Sequence, residues 1–182
     1  ADLILGVDIL EAARGLDPAC NQKVGSSQRT VAIVNNHETP TILTLLGQDG
    51  FSIGDLERDL RQNTRSEAFF SCDVSALSER LFGTQLYANL AMLGIAFQRG
   101  QLPVRLASIE WAIRQSLRGS AEENLRAFRV GRLMAHDLAA VERAANTFRE
   151  PETFAEVVAD KTAILGRSQR KGAPVANAYE EL

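Results

Sequence analysis

The chain is poor in the side chains that most often mark a self-sufficient metal or redox centre. It has two cysteines, Cys20 and Cys72, and two histidines, His37 and His136. A structural zinc site or an iron–sulfur cluster takes about four protein ligands, so this chain alone cannot hold a cysteine-ligated cluster. Two thiols this far apart read as reduced residues of a cytoplasmic protein. No apolar run approaches the roughly 20 residues needed to span a bilayer, and no basic-then-apolar leader opens the sequence. Basic residues are not in excess either. Lys and Arg total 20 against 23 Asp and Glu, a net charge of −3, which excludes the basic footprint of a nucleic-acid binder. Several catalytic signatures are also missing. There is no G-x-G-x-x-G or P-loop, no G-x-S-x-G elbow, no H-E-x-x-H and no C-x-x-C. His37-Glu38 begins like a metal motif, but residue 41 is threonine, so the second ligand is absent.

What is present fits a globular domain: 182 residues, 45% hydrophobic and 24% charged, long enough to bury a core. The chain starts at Ala1 and runs directly into "ADLILGVD", which has the continuous apolar character of a strand buried on both faces. A sheet rarely begins at a first residue, so the expectation is a piece of a longer chain. "ILEAARGL" follows as a short helix, 17–28 as loop, and "RTVAIVN" as a second strand. Ser52 caps a helix over "IGDLERDLRQ", "SEAFFSCD" is a third strand, and Asp73 and Gly83 bracket the helix "VSALSERLFG". Strand and helix alternate three times, which predicts a parallel α/β layer.

The second half is helical throughout. "TQLYANLAMLGIAFQRG" carries Leu86, Leu90, Leu93 and Phe97 on one face and Ala91, Met92 and Ile95 on the other, a helix buried on most sides. A helix after Pro103 has the stripe Leu106, Ile109, Ile113, Leu117, with Trp111 about half a turn away. Ser120 and Glu123 form a capping box for one long helix reaching about Phe148, and Glu150-Pro151 opens a last helix before a polar tail.

The loop "VNNHETPT" is the candidate site, because ligands of open parallel sheets gather beyond the carboxyl ends of the strands. Asn35, Asn36, Thr39 and Thr41 supply donors and acceptors there, and Pro40 stiffens the backbone. The same residues also suit a strand-end turn that satisfies its own backbone. No partner for His37 can be identified, and His136 falls at the edge of a helical stripe. Trp111 is either an interface anchor or a second packing face. Arg126, Arg129 and Arg132, with Arg118 upstream, form a band expected to pair with Glu122 and Glu123.

Taken in order, "ADLILGVDILEAAR", "TVAIVNNHETPT", "RLFGTQLYANLAMLGIAFQRGQLPV" and "ENLRAFRVGRLMA" resemble the γ (catalytic-domain) part of the 2-oxoacid:ferredoxin oxidoreductases, the indolepyruvate type in particular. The resemblance covers roughly residues 1–135. It implies an enzyme that oxidatively decarboxylates an arylpyruvate with thiamine diphosphate, passes electrons through Fe–S clusters to ferredoxin, and releases an acyl-CoA. It further implies a Rossmann-like γ module packed against thiamine-bearing domains and associated with CoA access, the thiamine and cluster ligands lying elsewhere. The family module starts with a strand and a G-x-G-G-Q-G type loop that this chain lacks, so no phosphate-cradling role falls on residues present here.

The expectation is therefore an α/β fold, a Rossmann-like, mainly parallel sheet with a helical C-terminal half, divided into a γ-type domain at 1–150 and a helix with tail at 151–182. Asn35, Asn36 and Thr39 are the candidate cofactor-binding residues and Trp111 the candidate interface. The chain alone would bind no cofactor; the complex would use thiamine diphosphate, Fe–S clusters and CoA. Expected partners are the thiamine-binding and Fe–S domains or subunits, ferredoxin through the complex, or a second copy. The alternatives are a non-enzymatic Rossmann-like interaction domain and a small nucleotide-binding protein using the 35–41 loop.

Overall fold

In a computed structural model, residues 1–17, 24–38, 52–116, 119–147, 155–159 and 162 are described. The chain divides into two units, Ala1–Asn146 and Thr147–Leu182. In the second, residues 155–159 are helical.

Three parallel strands lie in the order in which they occur: β1 (Leu3–Gly6), β2 (Val31–Asn35) and β3 (Phe70–Cys72). Leu3 pairs with Val31 and Ile33 with Phe70, so β2 is central, and all five of its residues are buried. Parallel strands need long crossovers, and the ones here are helical: α1 (Ile9–Arg14) lies between β1 and β2, and α2 (Ile53–Asn63) between β2 and β3. The alternation of side chains along each strand assigns two faces. Ile4, Ala32 and Val34 meet Ile9, Ala12, Leu56 and Leu60 of α1 and α2. Leu3, Leu5, Val31, Ile33 and Cys72 face the other way, toward the helical second half.

That half begins with α3 (Val74–Phe82). Asp73 caps its start by accepting from the Ala76 N–H at 2.7 Å, and Gly83 ends it at φ 73°, a left-handed conformation that costs glycine little. Ser52 likewise caps α2 through the Asp55 N–H. Next come α4 (Ala88–Gln98), α5 (Leu106–Ser116), α6 (Ala121–His136) and α7 (Leu138–Thr147). The central helix α4 turns Ala91, Met92, Ile95 and Ala96 to the sheet-side core, while its partly buried Leu90, Leu93 and Phe97 pack with Ile109, Ile113, Leu125 and Phe128 of α5 and α6.

Helices α4 and α6 cross with their backbones nearly touching. A Cβ on Gly131 would stand 1.8 Å from the Ala91 carbonyl oxygen, and one on Gly94 2.0 Å from the Phe128 carbonyl oxygen. Each glycine therefore serves as the notch into which the opposing helix fits, and this crossing bridges the two helical cores.

Four expectations need correction. The single helix drawn from Ser120 to Phe148 is two helices, because Asp137 leaves helical geometry and its carboxylate accepts from the Ala140 N–H at 2.9 Å, starting α7. His136 thus ends a helix instead of lying within one. The capping box does not close: Asn124, not Glu123, reaches Ser120, donating to its Oγ at 2.9 Å. Leu86 is 82% exposed, because it falls in a short 3-10 turn ahead of α4. The arginine band is also redirected. Arg129 pairs with Glu110 at 3.2 Å, Arg132 donates to Gln98 at 2.9 Å, and Arg126 lies over the Phe82 ring. Arg118, Leu117, Phe148 and the Glu150-Pro151 helix start lie outside the described residues.

Filling a notch at the α4–α6 crossing forces the helices apart. Gly131→Ala is expected to lower the unfolding free energy by about 3 kcal/mol, the upper part of the overpacking range, in a urea titration. Gly54→Ala meets only the Ser52 hydroxyl, at 3.7 Å, and is expected to be neutral or stabilising by about 0.5 kcal/mol. Equal behaviour of the two variants would contradict the crossing.

Candidate functional site

The carboxyl ends of all three strands point to one edge of the sheet, and the chain leaves that edge through polar residues. Asn35, the last residue of β2, is 4% exposed. Its Nδ2 donates to the Val7 carbonyl oxygen at 3.0 Å and to Ser75 Oγ at 2.9 Å. Its Oδ1 accepts from the N–H groups of Val74 at 3.0 Å and Ser75 at 3.3 Å. One amide thus joins the turn after β1, the end of β2 and the first turn of α3, and its side chain is fully engaged within the protein.

Asn36 is half-buried and turns to the opposite face. Its Nδ2 donates to Glu57 Oε1 of α2 at 2.9 Å, and Ser71 Oγ of β3 donates to the same oxygen at 2.5 Å. Its backbone N–H continues the ladder to the Cys72 carbonyl oxygen. Thr39, Pro40 and Thr41 lie outside the described residues.

His37 does have a partner. Its Nδ1 lies 3.0 Å and 3.1 Å from the two carboxylate oxygens of Asp73, the residue that caps α3. A carboxylate can only accept, so the contact calls for the proton on Nδ1, which makes Nε2 an acceptor while the ring is neutral. The imidazole is 27% and the carboxylate 42% exposed, so the pair sits at the protein's edge, not within it. Sequence spacing hid the pair, since the two residues are 36 positions apart. The signal available was the shared position, each just past the end of a neighbouring strand.

Cys72, next to Asp73, is buried and reduced. Burial, and then the charges of Asp73 and Glu142, push its thiol up from an ordinary 9.0 to about 12. It is therefore a neutral packing group at physiological pH, and a thiolate ligand or nucleophile is not available there. Cys20 lies outside the described residues. Trp111 is 65% exposed, on the face of α5 opposite the buried Ile109 and Ile113. Among the described residues no helix is long and apolar enough to cross a membrane, and no group of three His, Cys, Asp or Glu side chains could hold a metal ion.

A family model described as pyruvate ferredoxin/flavodoxin oxidoreductase matches residues 15–134. That span takes in β2, β3 and the helices from α2 almost to the end of α6, and with them the crest residues Asn35, Asn36, His37 and Asp73. No curated protein and no solved structure matches the chain.

The two crest interactions differ in burial and so in what they hold together. Asn35→Ala strands two buried N–H groups, a carbonyl and a hydroxyl, and at about 1–3 kcal/mol for a lost buried partner the expected loss is about 3 kcal/mol. His37→Gln removes a partly solvated pair and is expected to cost less than about 1 kcal/mol in the same denaturant titration. Cys72 should resist alkylation by iodoacetamide in the native protein and react only on unfolding. Between pH 9.0 and about 12 the native state holds the Cys72 proton that the unfolded chain has lost. This contribution to stability is full below 9.0 and falls as pH rises through that window. Rapid native-state labelling at Cys72 near neutral pH would refute its burial.

Proposed function

Because the chain belongs to the pyruvate ferredoxin/flavodoxin oxidoreductase family, we propose that it is the γ-type module of an arylpyruvate:ferredoxin oxidoreductase of the indolepyruvate kind. Its task is to pack its sheet crest against the thiamine-bearing domains and shape the approach of CoA and the 2-oxoacid. The observation that carries the reading is the family match, which runs through both sides of the crest.

The division of labour follows from the residues available. Thiamine diphosphate, held by other domains, supplies the carbon-centred chemistry, and Fe–S clusters carry the electrons to ferredoxin. Cys72 is protonated and enclosed, which does not fit a cluster ligand, so no step is routed through it. What this chain contributes is position. Asn35 fixes the crest from below by tying β2 to the start of α3. Asn36 and His37, held by Glu57 and Asp73 respectively, face the neighbouring domain or ligand, and Thr39 contributes to the same contact by its place in the sequence. Trp111 anchors a second contact with a neighbouring subunit, since an exposed tryptophan contributes a large apolar area with few rotatable bonds.

The module on its own is expected to be silent. The isolated chain, given arylpyruvate, thiamine diphosphate, CoA and ferredoxin or a viologen dye, should reduce nothing above background. The same chain co-expressed with thiamine-bearing and Fe–S subunits should co-purify with them, and the complex should reduce dye only with a 2-oxoacid present. Turnover by the isolated chain, or failure to associate with any thiamine-enzyme subunit, would overturn the reading.

A further inference from the structure

A groove of about 300 Å³ runs along the outer face of α3, between that helix and α7. Asp73, Ala76, Leu77 and Arg80 line one side, and Glu142 and Asn146 the other. The charges in it are not distributed as a salt-bridged surface would have them. Arg80 Nη1 donates to the neutral Asn146 Oδ1 at 3.0 Å, and Arg80 makes no ion pair among the described residues, although Glu142 lines the same groove. Asp73 is already occupied by His37 and by the Ala76 N–H, and it lies two helical turns from Arg80. Asp73 stands at the β3 end of the groove and Arg80 at the other, and Glu142 lies one turn of α7 before the Asn146 that Arg80 touches.

Glu142 and Asn146 are four residues apart on α7, one helical turn, or about 5.4 Å along the axis. Asn146 gives its carbonyl oxygen to Arg80 and keeps its Nδ2 as a donor. A guanidinium and an amide N–H therefore sit one turn from a carboxylate that pairs with no cation among the described residues. Ala76 and Leu77 supply the apolar part of the lining. A ligand satisfying all of this carries an anion and a cation on neighbouring atoms, with an apolar group beside them. An ammonium and a carboxylate attached to one carbon, each one hydrogen bond from its protein partner, span a single helical turn.

We propose that this groove binds a free α-amino acid with an apolar side chain, its carboxylate held by Arg80 and the Asn146 amide and its ammonium by Glu142. The site selects for the zwitterion. A 2-oxoacid of the same skeleton keeps the carboxylate but replaces the ammonium with a carbonyl oxygen, which faces Glu142 without a proton to offer. His37 meets this site only through Asp73, the carboxylate it faces beside the groove. The inference does not depend on the family assignment, because it uses the groove's own charges.

Isothermal titration of the full chain with L-leucine tests it. Saturable binding is expected. N-acetyl-L-leucine, leucinamide and the 2-oxoacid of leucine should each bind about tenfold more weakly or worse, since each loses one charged hydrogen-bonded group. Arg80→Gln and Glu142→Gln alter exposed side chains and should fold normally by thermal melting, yet each should weaken leucine binding about tenfold or more. No saturable binding up to about 10 mM overturns the proposal. So does undiminished binding of the blocked analogues, or wild-type affinity in both variants, which would put the amino acid elsewhere.

Discussion

The crest of the sheet depends on one buried carboxamide. Asn35 donates to the turn after β1 and accepts from the first N–H groups of α3, so three segments distant in sequence are joined by four hydrogen bonds. A helix start has N–H groups with no partner inside the helix, and usually a capping side chain or water satisfies them. Here Asp73 satisfies the Ala76 N–H and Asn35 takes two more from across the sheet. Because the cap comes from β2 and not from the helix alone, the strand end and the helix cannot shift independently. The His37–Asp73 pair rests on that arrangement, since Asp73 adjoins Val74, whose N–H donates to Asn35.

The second half of the molecule is attached by close backbone approach. Gly94 and Gly131 let α4 and α6 meet nearly atom to atom, and α4 in turn presses Met92 and Ile95 toward Val31 and Ile33 of the sheet. Interiors packed at crystal-like density transmit displacement instead of absorbing it. A load on α6 or α5, where Trp111 is exposed, therefore meets a continuous wall back to β2. Docking onto a body of this kind immobilises fewer side chains and loses less entropy than docking onto a loosely packed one.

Local rules made much of this fold legible. The caps at Ser52 and Asp73 and the glycine stop at Gly83 are short-range devices, and each stands where its residue type predicts. The alternation of strand and helix led to the parallel sheet for the same reason. Long-range features were not legible. The apolar period continues unbroken through Leu138, Val141 and Ala145, so nothing in the pattern betrays the break at Asp137, where a side-chain cap competes with the helix it interrupts. Gly94 and Gly131 look like weaknesses in helices until the opposing backbone is in place. His37 looked solitary because its partner comes from the end of the next strand.

The position of His37 alters what the crest can be. Its carboxylate partner is also a helix cap, so Asp73 is held by the Ala76 N–H whether or not the imidazole is present. The direction of dependence is therefore clear: the fold positions Asp73, and Asp73 positions His37. A histidine placed this way adds little to stability, because the pair is partly solvated and exposed ion pairs contribute at most about 1 kcal/mol. The crest then has two layers, Asn35 buried below as the structural tie and His37 above it, partly exposed and oriented by Asp73.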